Sequence, residues 1–140
     1  MSEAPPAGFA PHFRKSPVTD PWEPLFSRTS PDGVEIGFRA AAAHCNSRGF
    51  VHGGVIAALA DNALGLSVGE SLRGQGEAAP GGLVTVSLTL DYLATARIGQ
   101  WVAVRPRVLK AGRNLGFADA VVVADDAPVA RASASFKVLA

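Results

Sequence analysis

The chain has very little cysteine and no excess of charge of either sign. Both features exclude some classes of function. Its 140 residues include a single cysteine, Cys45, so no disulfide can form within the chain, which suits a reducing compartment. Thirteen basic and 12 acidic residues nearly cancel, which argues against a nucleic-acid groove. We find no basic-apolar-small leader and no long uncharged apolar run, so we expect a cytoplasmic protein that binds no membrane.

Length and composition indicate one globular domain preceded by an arm. Apolar residues make up 48% of the chain and charged residues 18%, a balance typical of folded proteins. Seven of the ten prolines fall within the first 31 residues, and proline lacks an amide hydrogen and fixes φ. We therefore predict an extended arm over residues 1–24, anchored by Phe9, Phe13 and Trp22, and a single domain over residues 25–140.

The spacing of apolar residues predicts one long helix and five or six strands. Segments 25–30 and 34–42 flank the turn residues Pro31–Gly33 and favour a hairpin. A helix is predicted over about 54–72, and a flexible connection rich in glycine follows it, ending in Pro80-Gly81-Gly82. Apolar and polar residues then alternate in four predicted strands, at 84–92, 101–109, 115–124 and 130–138.

These elements define an α+β fold. Short turns between strands imply a mostly antiparallel sheet. The predicted helix is apolar on nearly all sides, so the sheet must wrap around it or a second subunit must cover it. Two details can be checked. Pro106 predicts an edge or a bulge in its strand. The alternation over 84–92 places Val86 with the apolar residues and Thr85 with the polar ones.

The segment from Asn46 to Gly69 carries the strongest functional signal. Asp61 is a single carboxylate within the otherwise apolar predicted helix, and a buried charge is costly unless it is paired or put to use. The helix opens on Gly53 and Gly54, and a glycine pair there leaves backbone N–H groups free to meet an anion. A lone acid and an exposed N–H cluster in one short segment indicate a catalytic site.

The order and spacing of this motif resemble the hotdog-fold thioesterases of the phenylacetate-pathway type. The residues that carry the resemblance are Asn46, then His52-Gly53-Gly54, then Asp61. Segment Thr85–Gly99 resembles the second strand of that family, although Thr95 stands where the family pattern has proline. The resemblance covers roughly residues 25–140 and implies an antiparallel sheet wrapped around one long central helix. It also implies an acyl-CoA thioesterase that needs no metal or redox cofactor, since the coenzyme A thioester is the substrate.

The resemblance also assigns roles to residues of the motif. Asp61 corresponds to the acid that activates water or attacks the thioester carbon, and Gly53 to the residue whose N–H polarises the carbonyl. Asn46 and Thr85 correspond to polar side chains that orient the carbonyl, the nucleophile or its water. Further candidates for substrate binding are His52, Gly54 and Arg113. The last is a turn arginine that could reach a phosphate of coenzyme A.

These residue types suit thioester hydrolysis. The reaction builds negative charge on the carbonyl oxygen, and a helix N-terminus offers preorganised N–H donors at that point. A carboxylate in apolar surroundings gains basicity, which favours removal of a proton from water near neutral pH. The spacing of His44, Cys45 and His52 fits no standard metal site, so none is expected.

Oligomeric state and reaction type have alternatives at this stage. The resemblance implies a homodimer, commonly paired into a tetramer, in which Asp61 and the loop with Asn46 and Gly53 come from different chains. The acyl group is expected to be aromatic or medium-length. A hotdog hydratase or dehydratase would instead need His52 paired with Asp61, and a non-catalytic acyl-CoA-binding module would keep the fold without turnover. Each candidate also has a structural role to consider, such as Asn46 in a turn, His52 as a loop-fixing residue or Thr85 as a plain strand residue.

Overall fold

The computed structural model of the chain describes residues 4–77, 79 and 81–140. Residues 1–3 of the predicted arm and Pro80 of the predicted connection lie outside the described residues. The elements within the described part are strands β1 Ala10–Pro11, β2 Phe26–Ser30 and β3 Gly33–Arg39, helix α1 Gly53–Gly74, and strands β4 Leu83–Tyr92, β5 Trp101–Ala111, β6 Leu115–Ala124 and β7 Ala127–Val138. Short 3-10 turns lie at Asp20–Trp22 and Ala42–His44.

The described strands form one antiparallel sheet of seven, in the order β1-β2-β3-β5-β6-β7-β4. The sheet wraps around α1, which contacts every strand from β3 to β7. The predicted α+β class is therefore confirmed, with one strand more than expected because the arm contributes the two-residue β1. The predicted hairpin of β2 and β3 is also confirmed, as is the helix to within two residues at each end.

Helix α1 forms the centre of the core. Its fully buried residues include Leu59, Ala63, Leu64 and Val68. The sheet packs tightly on it at β6, where a Cβ at Gly116 would clash with the Val68 side chain. The helix is long and apolar enough to cross a membrane, but 56% of its apolar window is buried against the rest of the fold.

A bulge in β4 changes which residues of that strand face the helix. In the β4–β7 ladder Thr85 pairs with Phe136 and Leu88 pairs with Ala134, so one extra residue is accommodated between them. Phe136 and Ala134 are buried against the core, so Thr85 and Leu88 lie on the helix side of the sheet. Val86 is turned outward and is 62% exposed. The prediction of unbroken alternation over 84–92 was therefore wrong at Val86.

Pro106 lies where its strand has only one partner. It pairs with Ala120 of β6, but the ladder between β3 and β5 ends at Ile36 and Val104, before Pro106 is reached. A missing amide hydrogen therefore costs no bond to β3. The expectation of an edge is confirmed, and a bulge follows a few residues later, between Val108 and Lys110.

The described part of the arm packs on the domain, with one correction to its anchors. Phe9 and Trp22 pack against the two apolar clusters as predicted. Phe13 is 54% exposed, so its prediction as an anchor was wrong. His12 is the buried ring at this point of the arm, and its Nε2 lies 3.0 Å from Oδ1 of Asn62 on α1. A polar partner on the helix, which no local pattern reveals, makes His12 the anchor.

Candidate active site

Asp61 and Thr85 are brought together by the bulge in β4. Thr85 Oγ1 donates a hydrogen bond of 2.7 Å to Asp61 Oδ1. The Asp61 side chain is half-buried, because Thr85 and the groove beside it are open to solvent. The sequence alone suggests a fully enclosed acid, since Asp61 is the lone acid in an apolar part of the helix. Within the described chain Asp61 Oδ2 has no hydrogen-bond partner, so it can accept a proton from water or meet a substrate.

The acid opens onto a groove on the surface of the subunit. The groove has a volume of about 300 Å³ and runs between α1, the start of β4 and the N-terminal arm. Asp61 and Thr85 line it, together with Gly65 and Leu66 from the helix and Arg14 from the arm. An acid with a hydroxyl partner therefore stands on the wall of an accessible cleft.

The N-terminus of α1 leaves one backbone donor open. His52 caps the helix, and its Nδ1 accepts the Gly54 N–H at 2.8 Å. Among the residues that the structure describes, the Gly53 N–H has no acceptor. Of the two predicted glycine donors, Gly53 alone is thus free to bind an oxyanion, at the positive end of the helix.

His52 has its place in this cap and not beside the acid. Its Nδ1 is occupied by the Gly54 N–H, and no hydrogen bond joins its ring to Asp61 in the described part of the chain. The paired histidine and acid that a hydratase or dehydratase would need are therefore not formed within one chain.

Tyr92 is a site residue that the sequence analysis missed. Its hydroxyl donates a hydrogen bond of 2.6 Å to the carbonyl oxygen of Gly53, and a Cβ at Gly53 would stand only 3.1 Å from Tyr92 Cζ. Partial burial raises the pKa of Tyr92, so the phenol stays protonated and able to donate. Tyr92 thus holds the carbonyl of the residue that presents the open N–H, and a side chain at position 53 would crowd the Tyr92 ring.

Asn46 organises the loop before the helix. Its Oδ1 accepts the backbone N–H groups of Arg48 at 2.9 Å and Phe50 at 3.2 Å. This is the turn role that asparagine often has. Arg113 lies in the turn between β5 and β6 and does not line the groove. Neither residue is brought to Asp61 within one chain, and both stay predictions as substrate-binding or orienting residues.

One helix holds the acid and the oxyanion donor apart. Asp61 and Gly53 are eight residues apart on α1, and a rise of 1.5 Å per residue separates them by about 12 Å along the axis. A thioester carbonyl needs its nucleophile and its N–H donor each within about 3 Å. A single chain therefore contains both chemical groups but does not assemble them around one carbonyl.

Comparisons with known proteins identify the family of the chain. The model of the family named Thioesterase superfamily matches residues 48–130. The Pseudomonas aeruginosa protein named "Putative esterase PA0474" is 38% identical over 132 residues, which cover 94% of this chain and 95% of that protein. Human acyl-coenzyme A thioesterase 13 is 32% identical over 88 residues, 63% of this chain and 59% of that protein. The crystal structure of zebrafish thioesterase superfamily member 2 superposes with a TM-score of 0.71 at 26% identity, covering 81% of this chain and 80% of that one.

The chain belongs to the thioesterase superfamily, because the family model matches more than half of it and a relative matches nearly its whole length. The hotdog fold expected from the motif is confirmed by the sheet wrapped around α1. The enzyme class is that of a thioester hydrolase. No group of three or more His, Cys, Asp or Glu side chains in the described ranges could hold a metal ion.

The hydrogen bond from Thr85 can be tested by removing and restoring the hydroxyl. We predict that Thr85→Val lowers kcat for thioester hydrolysis roughly 10-fold, the value of one hydrogen bond to a charged group, whereas Thr85→Ser stays within about twofold of wild type. Steady-state kinetics measures both, and melting temperatures check that this exposed position leaves the fold intact. Equal activity of the valine and serine variants would contradict a role for the hydroxyl.

Proposed function

We propose that the protein is an acyl-CoA thioesterase, which hydrolyses a coenzyme A thioester to the free acid and coenzyme A. The observation that carries the proposal is the pairing of Asp61 with Thr85 on an open groove, together with the free N–H of Gly53 at the start of the same helix. The activity named for acyl-coenzyme A thioesterase 13 supports the substrate class. A Streptococcus pneumoniae thioesterase crystallised with coenzyme A shares the fold, with a TM-score of 0.66 at 17% identity.

Each group has a step in the proposed reaction. Asp61 Oδ2 takes a proton from a water molecule whose oxygen attacks the thioester carbon, or the carboxylate attacks that carbon itself and water releases the acyl group afterwards. Negative charge on the carbonyl oxygen is stabilised by the Gly53 N–H and the helix dipole. The C–S bond then breaks, and the thiolate takes up the proton. Thr85 holds Oδ1 so that Oδ2 faces the reaction.

The acyl group is proposed to be aromatic or medium-length. Tyr92, which contacts Gly53, is 52% exposed, and Leu93 next to it is 59% exposed. The Tyr92 ring lies against Gly53, whose N–H would hold the carbonyl, so an apolar acyl group could pack on that ring. A phenyl ring could stack against the Tyr92 ring.

We also propose a homodimer with its active sites between the subunits. The roughly 12 Å that separate Asp61 from Gly53 along α1 support it, because one carbonyl cannot reach both groups of one chain. The edge of the sheet supports it as well. Strand β4 is ten residues long and pairs on one side only, with Val84 50% and Val86 62% exposed, and such an edge invites a partner strand.

Two hydrogen bonds suggest how the dimer would assemble. Thr85 contacts Asp61 near one end of β4, and Tyr92 contacts Gly53 at the other end. Antiparallel pairing of two β4 strands about a two-fold axis near Leu88 would set Thr85 of one chain opposite Tyr92 of its partner. Asp61 would then lie near the partner's Gly53, and each dimer would hold two equivalent sites. Pairing of two dimers into a tetramer and a location in the cytoplasm complete the proposal.

A matched pair of acid variants tests the function. Asp61→Asn should lower kcat at least about 100-fold, because the amide cannot act as a base, while the fold survives. Asp91→Asn removes a carboxylate from the outer face of the same sheet, where it pairs with Arg131, and should leave kcat unchanged. The measurement is release of free thiol from short, medium, long and aromatic acyl-CoAs. A wild-type protein that releases no thiol from any of them overturns the function, and a near-normal Asp61→Asn variant overturns the role of Asp61.

Co-expression tests the shared site. Asp61→Ala and Gly53→Val should each be nearly inactive alone. In a mixed dimer, one site receives both defects and the other receives neither, so random assembly should restore about a quarter of all sites. Purified homodimers mixed without subunit exchange are the control and should stay inactive. If gel filtration shows mixed dimers but no activity returns, the site lies within one chain.

A further inference from the structure

The N-terminal arm reaches the groove although it lies outside residues 48–130, which the family model matches. His12 is 2% exposed, and its backbone N–H donates to the Leu25 carbonyl at 2.9 Å. Its ring contacts Asn62, the residue after Asp61, at 3.0 Å. Burial lowers the pKa of His12, so the ring stays neutral and its Nε2–H can donate to Asn62. The arm is therefore fastened to α1 beside the catalytic acid, and Arg14 follows two residues later.

The floor of the groove is a stripe of α1 residues spaced four apart, running through Asp61, Gly65, Gly69 and Arg73. Interior glycines destabilise a helix, so their presence here needs a reason. Packing does not supply one: a Cβ at Gly65 would make an ordinary contact of 3.4 Å with Phe136, and one at Gly69 would meet only the Arg73 guanidinium at 3.9 Å. The missing side chains leave open space along the helix.

The length of this floor matches part of the proposed substrate. Asp61 and Arg73 are 12 residues apart on α1, which corresponds to about 18 Å along the axis. If each bond of the extended pantetheine arm of coenzyme A adds the same length as in an extended peptide, the arm spans roughly 15 Å from sulfur to phosphorus. A thioester held at Asp61 could therefore lay its arm along the glycine floor and bring its phosphates to the far end.

The charges of the groove favour an anionic group. Arg73 is held by Glu70 at 2.9 Å, and Lys15 on the arm is held by Glu23 at 3.1 Å. Arg14 is exposed, lines the groove and forms no salt bridge with any carboxylate of the described residues. A guanidinium group that is free in a cleft favours a phosphate or carboxylate.

We propose that Arg14 binds an anionic group of the thioester substrate, so that the N-terminal arm forms part of the substrate site. The proposal rests on the acyl-CoA thioesterase function above. Phosphate of coenzyme A and a carboxylate on the acyl group are the two sources of such an anion.

Neighbouring arm residues provide a matched test. Arg14→Ala should raise KM for an acyl-CoA about 5- to 10-fold with kcat unchanged. The KM of Arg14→Lys should lie between those of the wild type and Arg14→Ala. Lys15→Ala removes the same charge one residue away, outside the groove, and should leave KM unchanged. Salt should raise KM of the wild type more steeply than KM of Arg14→Ala, because screening weakens only the charge that is present. Equal changes of KM in Arg14→Ala and Lys15→Ala, or none in either, would overturn the proposal.

Substrate analogues separate the two sources of the anion. The acyl-N-acetylcysteamine thioester lacks phosphates. If Arg14 binds a phosphate, the KM for this thioester should therefore be the same in Arg14→Ala as in the wild type. With an acyl carboxylate as the bound group, the effect should persist for carboxyacyl thioesters of either thiol and vanish for uncharged acyl groups. An unchanged KM for every substrate contradicts a role for Arg14.

A binding measurement keeps this proposal separate from the enzymatic function. Calorimetry with free coenzyme A needs no turnover, and phosphate recognition predicts that Arg14→Ala weakens binding about 5- to 10-fold. If Arg14→Ala weakens binding of coenzyme A but the wild type hydrolyses no acyl-CoA, the result would support Arg14 as an anion-binding residue and contradict the thioesterase function. Hydrolysis with no effect of Arg14→Ala on either KM or binding would contradict this proposal alone.

Discussion

Both chemical groups of the site are carried by one rigid helix, and the rest of the structure follows from that arrangement. Helix α1 is buried by the sheet that wraps around it, so it cannot bend to bring Asp61 and the Gly53 N–H together. The helix keeps them about 12 Å apart, four times the distance that a shared carbonyl allows. In the homodimer proposed above, a second copy of the helix would supply the group that each site lacks, and the unpaired edge at β4 is where the two copies would meet.

Strand β4 links the two halves of the site. Its bulge turns Thr85 toward Asp61, and its last residue, Tyr92, holds the Gly53 peptide. Because one strand contacts both groups, pairing β4 with its symmetry mate would position both sites at once. The same strand thus contacts both groups within a chain and, in the proposed dimer, would set the register between chains.

Much of the fold was predictable, because period-two alternation and turn residues are local signals. The helix, the β2–β3 hairpin and the strands of the second half followed from them. The acid and the glycine N-terminus of α1 were also visible as local exceptions to an apolar pattern. The face of the sheet on which Thr85 lies could not be predicted from the alternation, because one extra residue in β4 reverses it. Such a bulge depends on the partner strand β7.

Other errors have the same origin in long-range contacts. Phe13 has the apolar character of an anchor, but His12 takes that place because Asn62 offers it a hydrogen bond across the fold. Tyr92 read as an ordinary strand residue, and only the packing of β4 over the start of α1 reveals its bond to Gly53. Enclosure of Asp61 was overestimated, since an apolar helix sequence does not show where the sheet leaves a groove.

The most direct test of this account is a crystal structure with an acyl-CoA analogue in which a methylene group replaces the thioester sulfur and the carbonyl remains. The account predicts that the carbonyl oxygen lies about 2.7–3.1 Å from the Gly53 nitrogen of one protomer. Asp61 of the other protomer should lie about 3–3.5 Å from the carbonyl carbon, or reach it through one water molecule. A structure in which Asp61 and Gly53 of the same chain meet one carbonyl would contradict it.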